Sequence, residues 1–151
     1  LKCAGCGECI PACRFDAIDS NWDTEIVKMN EKMAEYALAV VSNKKNKVIY
    51  FNFVLNVTPE CDCMPSTDRY LVPDIGILAS FDPVAIDAAS ADLVNAAPAI
   101  MENIKDRESY DLKMSDKDKF RMIHKGLDWE IQLKHAEKIG LGSREYELIE
   151  I

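Results

Sequence analysis

The chain has 151 residues, with 18 Lys and Arg against 26 Asp and Glu, a formal net charge of −8, and 48% hydrophobic residues. That apolar content is enough for a core and excludes a disordered tail or low-complexity linker. The acidity argues against non-specific nucleic-acid binding, which needs clustered Lys and Arg against phosphate. No apolar run reaches the ~18 residues of a bilayer span, and no basic stretch leads an apolar one as in a secretion signal. The expectation is a cytoplasmic protein that binds neither membrane nor nucleic acid. Leu1 stands two residues before a cysteine motif, so the chain reads as the C-terminal part of a longer protein.

Residues 1–20 are punctuated by cysteine and glycine and are set apart from a body at 21–151. Asp23 or Thr24 can cap a helix to about Ser42, whose apolar positions Ile26, Met29, Met33, Tyr36, Ala37, Val40 and Val41 recur at three- and four-residue steps. Residues 47–57 (KVIYFNFVLNV) are β-branched, aromatic and nearly continuously apolar, which predicts a strand buried on both faces. Residues 58–72 show no periodicity and carry Pro59, Pro65, Cys61 and Cys63. A loop of this length inside a domain is often functional. Residues 74–80 (DIGILAS) form a second short strand.

Asp82-Pro83 reads as an N-cap followed by Pro at the first helical position. The helix that follows, to about Ala97, is alanine-rich, apolar nearly all round and therefore buried. Pro98 restarts a helix to about Arg107. Shorter helices are predicted at 117–125 and 128–139, the second ended by Gly140 and Gly142. Residues 146–151 (YELIEI) alternate as a terminal strand does. Strands alternating with helices predict an α/β fold with a mainly parallel sheet flanked by helices, preceded by the cysteine loop.

Four of the six cysteines, Cys3, Cys6, Cys9 and Cys13, form C-x2-C-x2-C-x3-C. That is the spacing of bacterial ferredoxins that bind a [4Fe-4S] cluster, in which the fourth cysteine ligates a different cluster from the first three. Thiolates two residues apart can wrap a loop around the iron corners of a cubane. Gly5 and Gly7 remove Cβ atoms where the backbone must come close, which frees amide N–H groups to donate to sulfide. The alternatives are a structural zinc site and an oxidised cysteine-rich loop. Zinc wants two separated ligand pairs, which this run lacks, although Cys61 and Cys63 could add a second. Arg14 stands where ferredoxin-type motifs carry Pro; its cation is expected to favour the reduced cluster and raise its potential.

Four segments together, CAGCGECIPACRFDAI, NVTPECDCMP, VPDIGILASFDPVAIDAASADLVN and HAEKIGLGSREYELIEI, resemble a family of uncharacterised prokaryotic iron–sulfur centre proteins. That family is a domain of unknown function with an embedded ferredoxin-type region. The resemblance implies a long part before the cysteine motif and two cysteine motifs, of which this chain carries the second. It implies that Cys3, Cys6 and Cys9 serve one cluster, that Cys13 completes another, and that a chain of this extent is isolated without intact clusters. It implies a cofactor, not a reaction.

If the two central strands are parallel neighbours, the Cys61–Cys63 loop and the Asp82-Pro83 turn share the carboxyl ends, where open α/β sheets bind ligands. The amides of residues 83–85 would then suit an anion. Cys61, Cys63, Asp82 and Asp87 thus form a candidate second metal or substrate site. The plainer reading makes the cysteines small packed residues and Asp82 a cap. His124 and His135, the only histidines, are expected to be solvated or structural.

The preferred function is an iron–sulfur protein that passes single electrons through Cys3, Cys6, Cys9 and Cys13 to or from a site on the α/β body, which meets a redox partner protein or a small-molecule substrate. The rivals are a non-catalytic metal-binding or assembly module holding zinc or a structural cluster, and a redox enzyme that uses Cys61, Asp62 and Cys63. The sequence contains neither G-x-G-x-x-G nor a P-loop.

Overall fold

In the computed structural model, which describes residues 8–18, 26–44, 47–61, 69–103, 110–115 and 117–151, the chain mixes helix and sheet. The order is α1 (Cys9–Ala12), α2 (Ile26–Val41), β1 (Tyr50–Val54), β2 (Gly76–Ser80), α3 (Pro83–Ala96), α4 (Lys119–Ile123) and α5 (Glu130–Lys138). 3-10 turns form at Met101–Asn103 and Leu112–Met114.

The element that follows most directly from its sequence is α3. Asp82 has extended backbone angles, and its side chain accepts from the N–H groups of Val84 and Ala85 while Pro83 opens the helix. Two otherwise orphaned amides are satisfied, and the Pro costs no donor there. Val84, Ile86, Ala88, Ala89, Ala91 and Val94 are buried, as the apolar composition predicts, and the alanines let neighbouring elements approach closely. One core cluster gathers Val54, Leu71, Val72, Val94 and Met122; the other gathers Ala34, Val84, Ala88, Leu133 and Ala136. α3 contributes to both, so it ties the sheet and α4 on one side to α2 and α5 on the other.

Among the described residues the sheet has two strands, and they are antiparallel, in the register Tyr50↔Ser80, Asn52↔Leu78 and Val54↔Gly76. The expected mainly parallel sheet is therefore corrected. A parallel pair needs a crossover over one face, usually a helix. Here Leu71 N–H instead donates to Val57 O and Ile75 N–H to Val54 O, so β2 starts beside the end at which β1 stops.

The expectation that β1 is buried on both faces is corrected as well. Asn52 faces α3, where its Nδ2 donates to Asp87 Oδ1 (2.8 Å) and Ser90 Oγ (3.0 Å). Phe51 and Phe53 point the other way and are more than half exposed.

The helix expected from Pro98 is reduced to the turn at Met101–Asn103, the remainder of its range, 104–107, lying outside the described residues. Ala97, held extended by the following Pro98, ends α3. Ile100 N–H then donates to Leu71 O and Asn103 Nδ2 to Tyr70 O, in place of helical partners.

Residues 146–151 form no strand. They run beside β2 and border a cavity of about 300 Å³ with Ile77, Ala79 and Ile86, anchored where Tyr146 Oη donates to Asp92 Oδ2 (2.8 Å). The Asp92 carboxylate beside it, then burial, raise the phenol's pKa above its ordinary value. No helix among the described residues is long and apolar enough to cross a membrane.

Candidate functional site

The described half of the cysteine motif is a single turn. Cys9 opens α1 and is exposed, and Cys13 caps its end with an extended ψ of 108°. After Arg14 and Phe15 the chain turns back through Asp16, whose φ of 47° is left-handed, and the Asp16 N–H donates to Cys13 O. That reversal brings the Ala17 N–H to 3.4 Å from Cys13 Sγ. The amide N–H groups of Phe15, then Ala17 and to a lesser degree Ile18, hold the Cys13 thiol below its ordinary pKa against a small desolvation. Thiolate is the form that binds metal. N–H groups aimed at sulfur are also among the means by which proteins tune iron–sulfur clusters.

The donor chemistry of this turn therefore fits the group its spacing implies. Phe15 is 89% exposed, and no other described helix or strand packs against α1. Cys3 and Cys6 lie outside the described residues. Among the described residues no three His, Cys, Asp or Glu side chains converge as a metal site.

The candidate second site divides. Because β1 and β2 are antiparallel, the Cys61 loop follows the Val54–Gly76 end of the sheet, whereas Asp82 follows the Tyr50–Ser80 end, about 16 Å along a five-residue strand. The shared carboxyl end expected for these loops is thus corrected.

At its own end Asp82 is fully engaged. Oδ1 accepts from Val84 N–H (2.8 Å) and Ala85 N–H (3.0 Å), and Oδ2 accepts from Ser143 N–H (2.8 Å). The amides expected to meet an anion already meet this carboxylate. Gly142 is required beside it, because a Cβ there would overlap the Asp82 carboxylate. Asp87 accepts from Asn52, one of the bonds that fix α3 on the sheet.

At the other end, Cys61 borders a cavity of about 190 Å³ together with Glu60, Lys119 and His124; Cys63 lies outside the described residues. Lys119 is 1% exposed. Its Nζ donates to Asn95 O (2.6 Å), and its backbone N–H donates to Asn95 Oδ1 (2.8 Å). His124 Nε2 lies 3.2 Å from Pro59 O, which fastens α4 to the loop before Cys61. Sequence reasoning missed this grouping. Lys119 sits in a mixed-charge stretch that reads as solvated, and its pairing with Asn95, 24 residues earlier, is not visible in the local sequence.

His135 bridges helices: Nδ1 is 3.6 Å from Glu31 Oε1 and Nε2 is 3.2 Å from Glu35 Oε1. Of the two readings expected for the histidines, solvated or structural, these contacts fit the second. Near α5, Asp118 accepts from Trp129 Nε1 (3.1 Å) and pairs with Arg121, which also reaches Asp128 and Glu130.

A protein-family model described as a domain of unknown function (DUF362) matches residues 7–92, more than half of the chain and the span from Gly7 into α3. No curated protein and no solved structure matches the chain significantly.

Proposed function

We propose that this chain, which belongs to the DUF362 family of domains of unknown function, binds iron–sulfur clusters through Cys3, Cys6, Cys9 and Cys13 and serves in single-electron transfer. The observation that carries the reading is the C-x2-C-x2-C-x3-C spacing together with the Cys13 turn, in which a backbone N–H already points at the sulfur. By the family resemblance, Cys3, Cys6 and Cys9 would serve one cluster and Cys13 would complete a second, as in two-cluster bacterial ferredoxins. A bound cluster would supply one-electron redox chemistry. The chain's own residues keep Cys9 exposed, aim the Ala17 N–H at the Cys13 sulfur, and place the Arg14 cation directly after the last ligand. The exposure of this turn suits approach by a redox partner, and the net charge of −8 favours a partner with a basic face.

The test is iron and acid-labile sulfide measured on anaerobically purified, reconstituted protein. Iron and sulfide in equal amounts, both lost when Cys3, Cys6, Cys9 and Cys13 are replaced together by Ser, are expected. Stoichiometric zinc without sulfide would instead establish a zinc module and overturn the reading.

A further inference from the structure

α2 carries its most regular apolar pattern on the side turned away from α5 and, among the described residues, left exposed. Ile26, Met29, Met33, Tyr36 and Val40 are spaced 3, 4, 3 and 4 residues apart and are 42, 42, 51, 74 and 63% exposed. The face that meets α5 is a different one, made by the buried Ala34 and by Glu31 and Glu35 against His135. A 3–4 spacing held over about four turns matches the a/d positions of a helix that packs against another helix, since it holds a straight apolar line facing one partner.

We infer that α2 is a dimerisation helix, its seam packing against α2 of a second copy of this chain across a two-fold axis. Three observations select a second copy. The spacing matches itself, and a two-fold contact uses the same patch on both partners. The positions that flank the seam, Asn30, Lys32, Ala37 and Ala39, carry one charge among them and two small side chains, so two such helices can approach closely. Both acidic residues of the helix, Glu31 and Glu35, lie off the seam on the face beside His135, which keeps like-charge repulsion out of the contact in a chain of net charge −8.

The five side chains expose on the order of 400 Å², about half of the ~800 Å² each partner contributes to a standard interface. The dimer is therefore concentration-dependent rather than permanent. Two methionines at the centre suit that role, because their flexible thioethers pack adaptably.

Sedimentation velocity on the purified chain, from low micromolar to submillimolar concentration, tests this. The weight-average mass should rise from one chain toward two. Met33→Lys, at a position already half exposed and so tolerated by the fold, should hold it at one chain with unchanged helical circular dichroism, whereas Met33→Leu should preserve the rise. A second readout needs no variant: peroxide oxidation of Met29 and Met33 should slow as concentration rises. A monomer at every concentration, or a dimer indifferent to Met33→Lys, overturns the inference. So does concentration-independent protection of the two methionines, which would mean that something other than a second copy covers the seam. Cluster content should not change in Met33→Lys, so this result stands apart from the iron–sulfur reading.

Discussion

Removing the Asp82 carboxylate separates a structural role from a ligand-binding one. In Asp82→Ala the amides of Val84 and Ala85 lose their shared acceptor and Ser143 N–H loses its own. Loss of an N-cap costs about 1 kcal/mol. A hydrogen bond to a charged acceptor is worth about 1.5–3 kcal/mol when buried, and the half-buried setting reduces the Ser143 bond to roughly 1 kcal/mol. The expected loss is thus about 2 kcal/mol, a fall in Tm of about 4–8 °C for a chain of this size.

Asp82→Asn keeps an oxygen for the cap but turns an NH2 donor toward Ser143 N–H, so it should lose about 1 kcal/mol, the Ser143 share alone. Gly142→Ala, which forces a Cβ into the carboxylate, should destabilise the wild type but cost far less in the Asp82→Ala background, because the two groups share one space. The assay is urea unfolding followed by circular dichroism, with metal content measured in parallel. Asp82→Ala within about 0.5 kcal/mol of wild type, or additive Asp82 and Gly142 costs, would refute the capping account. A loss of bound metal at unchanged stability would instead return Asp82 to a ligand role.

Other consequences are as specific. Glu130 is held below the ordinary carboxylate range, first by its hydrogen bond to Lys134 and then by Arg121, and Glu137 likewise by the backbone N–H and side chain of Arg144. A depressed carboxylate stabilises the fold above its unfolded pKa, near 4.5, and loses that contribution as pH falls through its folded value, so Glu137→Gln should flatten the acid limb of the stability–pH curve. The opposite sign holds for Tyr146, whose pKa is raised by its bond to Asp92. That anchor is complete below pH 10 and lost as the pH rises through the elevated value, and Tyr146→Phe should expose residues 146–151 to limited proteolysis at neutral pH. Trp129→Phe removes the indole bond to Asp118 and should cost about 1 kcal/mol in thermal unfolding. Arg14→Pro should lower the cluster's midpoint in a potentiometric titration; an unchanged midpoint would remove the electrostatic role given to Arg14.

What the sequence made legible was local. Asp82-Pro83 predicts the start of α3 because a cap and a helix-starting Pro act within four residues, and the period of α2 and α5 is written within each segment. The strands at Tyr50–Val54 and Gly76–Ser80 were also legible, but not their direction. Alternation of strand and helix suggested a parallel sheet, while the absence of helical periodicity between the strands was the signal that they pair antiparallel. β1 read as doubly buried because hydrophobicity says nothing about which face is covered, and Phe51 and Phe53 remain exposed. The apolar period of α2 correctly predicted a helix but not its orientation, since Ala34 rather than the methionine seam enters the core. Contacts spanning many residues, such as Ser143 to Asp82 and His124 to Pro59, leave no local trace. For the candidate metal residues, the chemistry is in the spacing, and the structure adds the N–H groups around Cys13.

The central claim is tested most directly by low-temperature electron paramagnetic resonance of the reconstituted protein after reduction by dithionite. The account predicts the fast-relaxing S = 1/2 signal of a reduced [4Fe-4S] cluster, lost in Cys9→Ser. A protein that takes up iron and sulfide yet gives no such signal, or whose signal survives replacement of Cys3, Cys6 and Cys9 together, would contradict it.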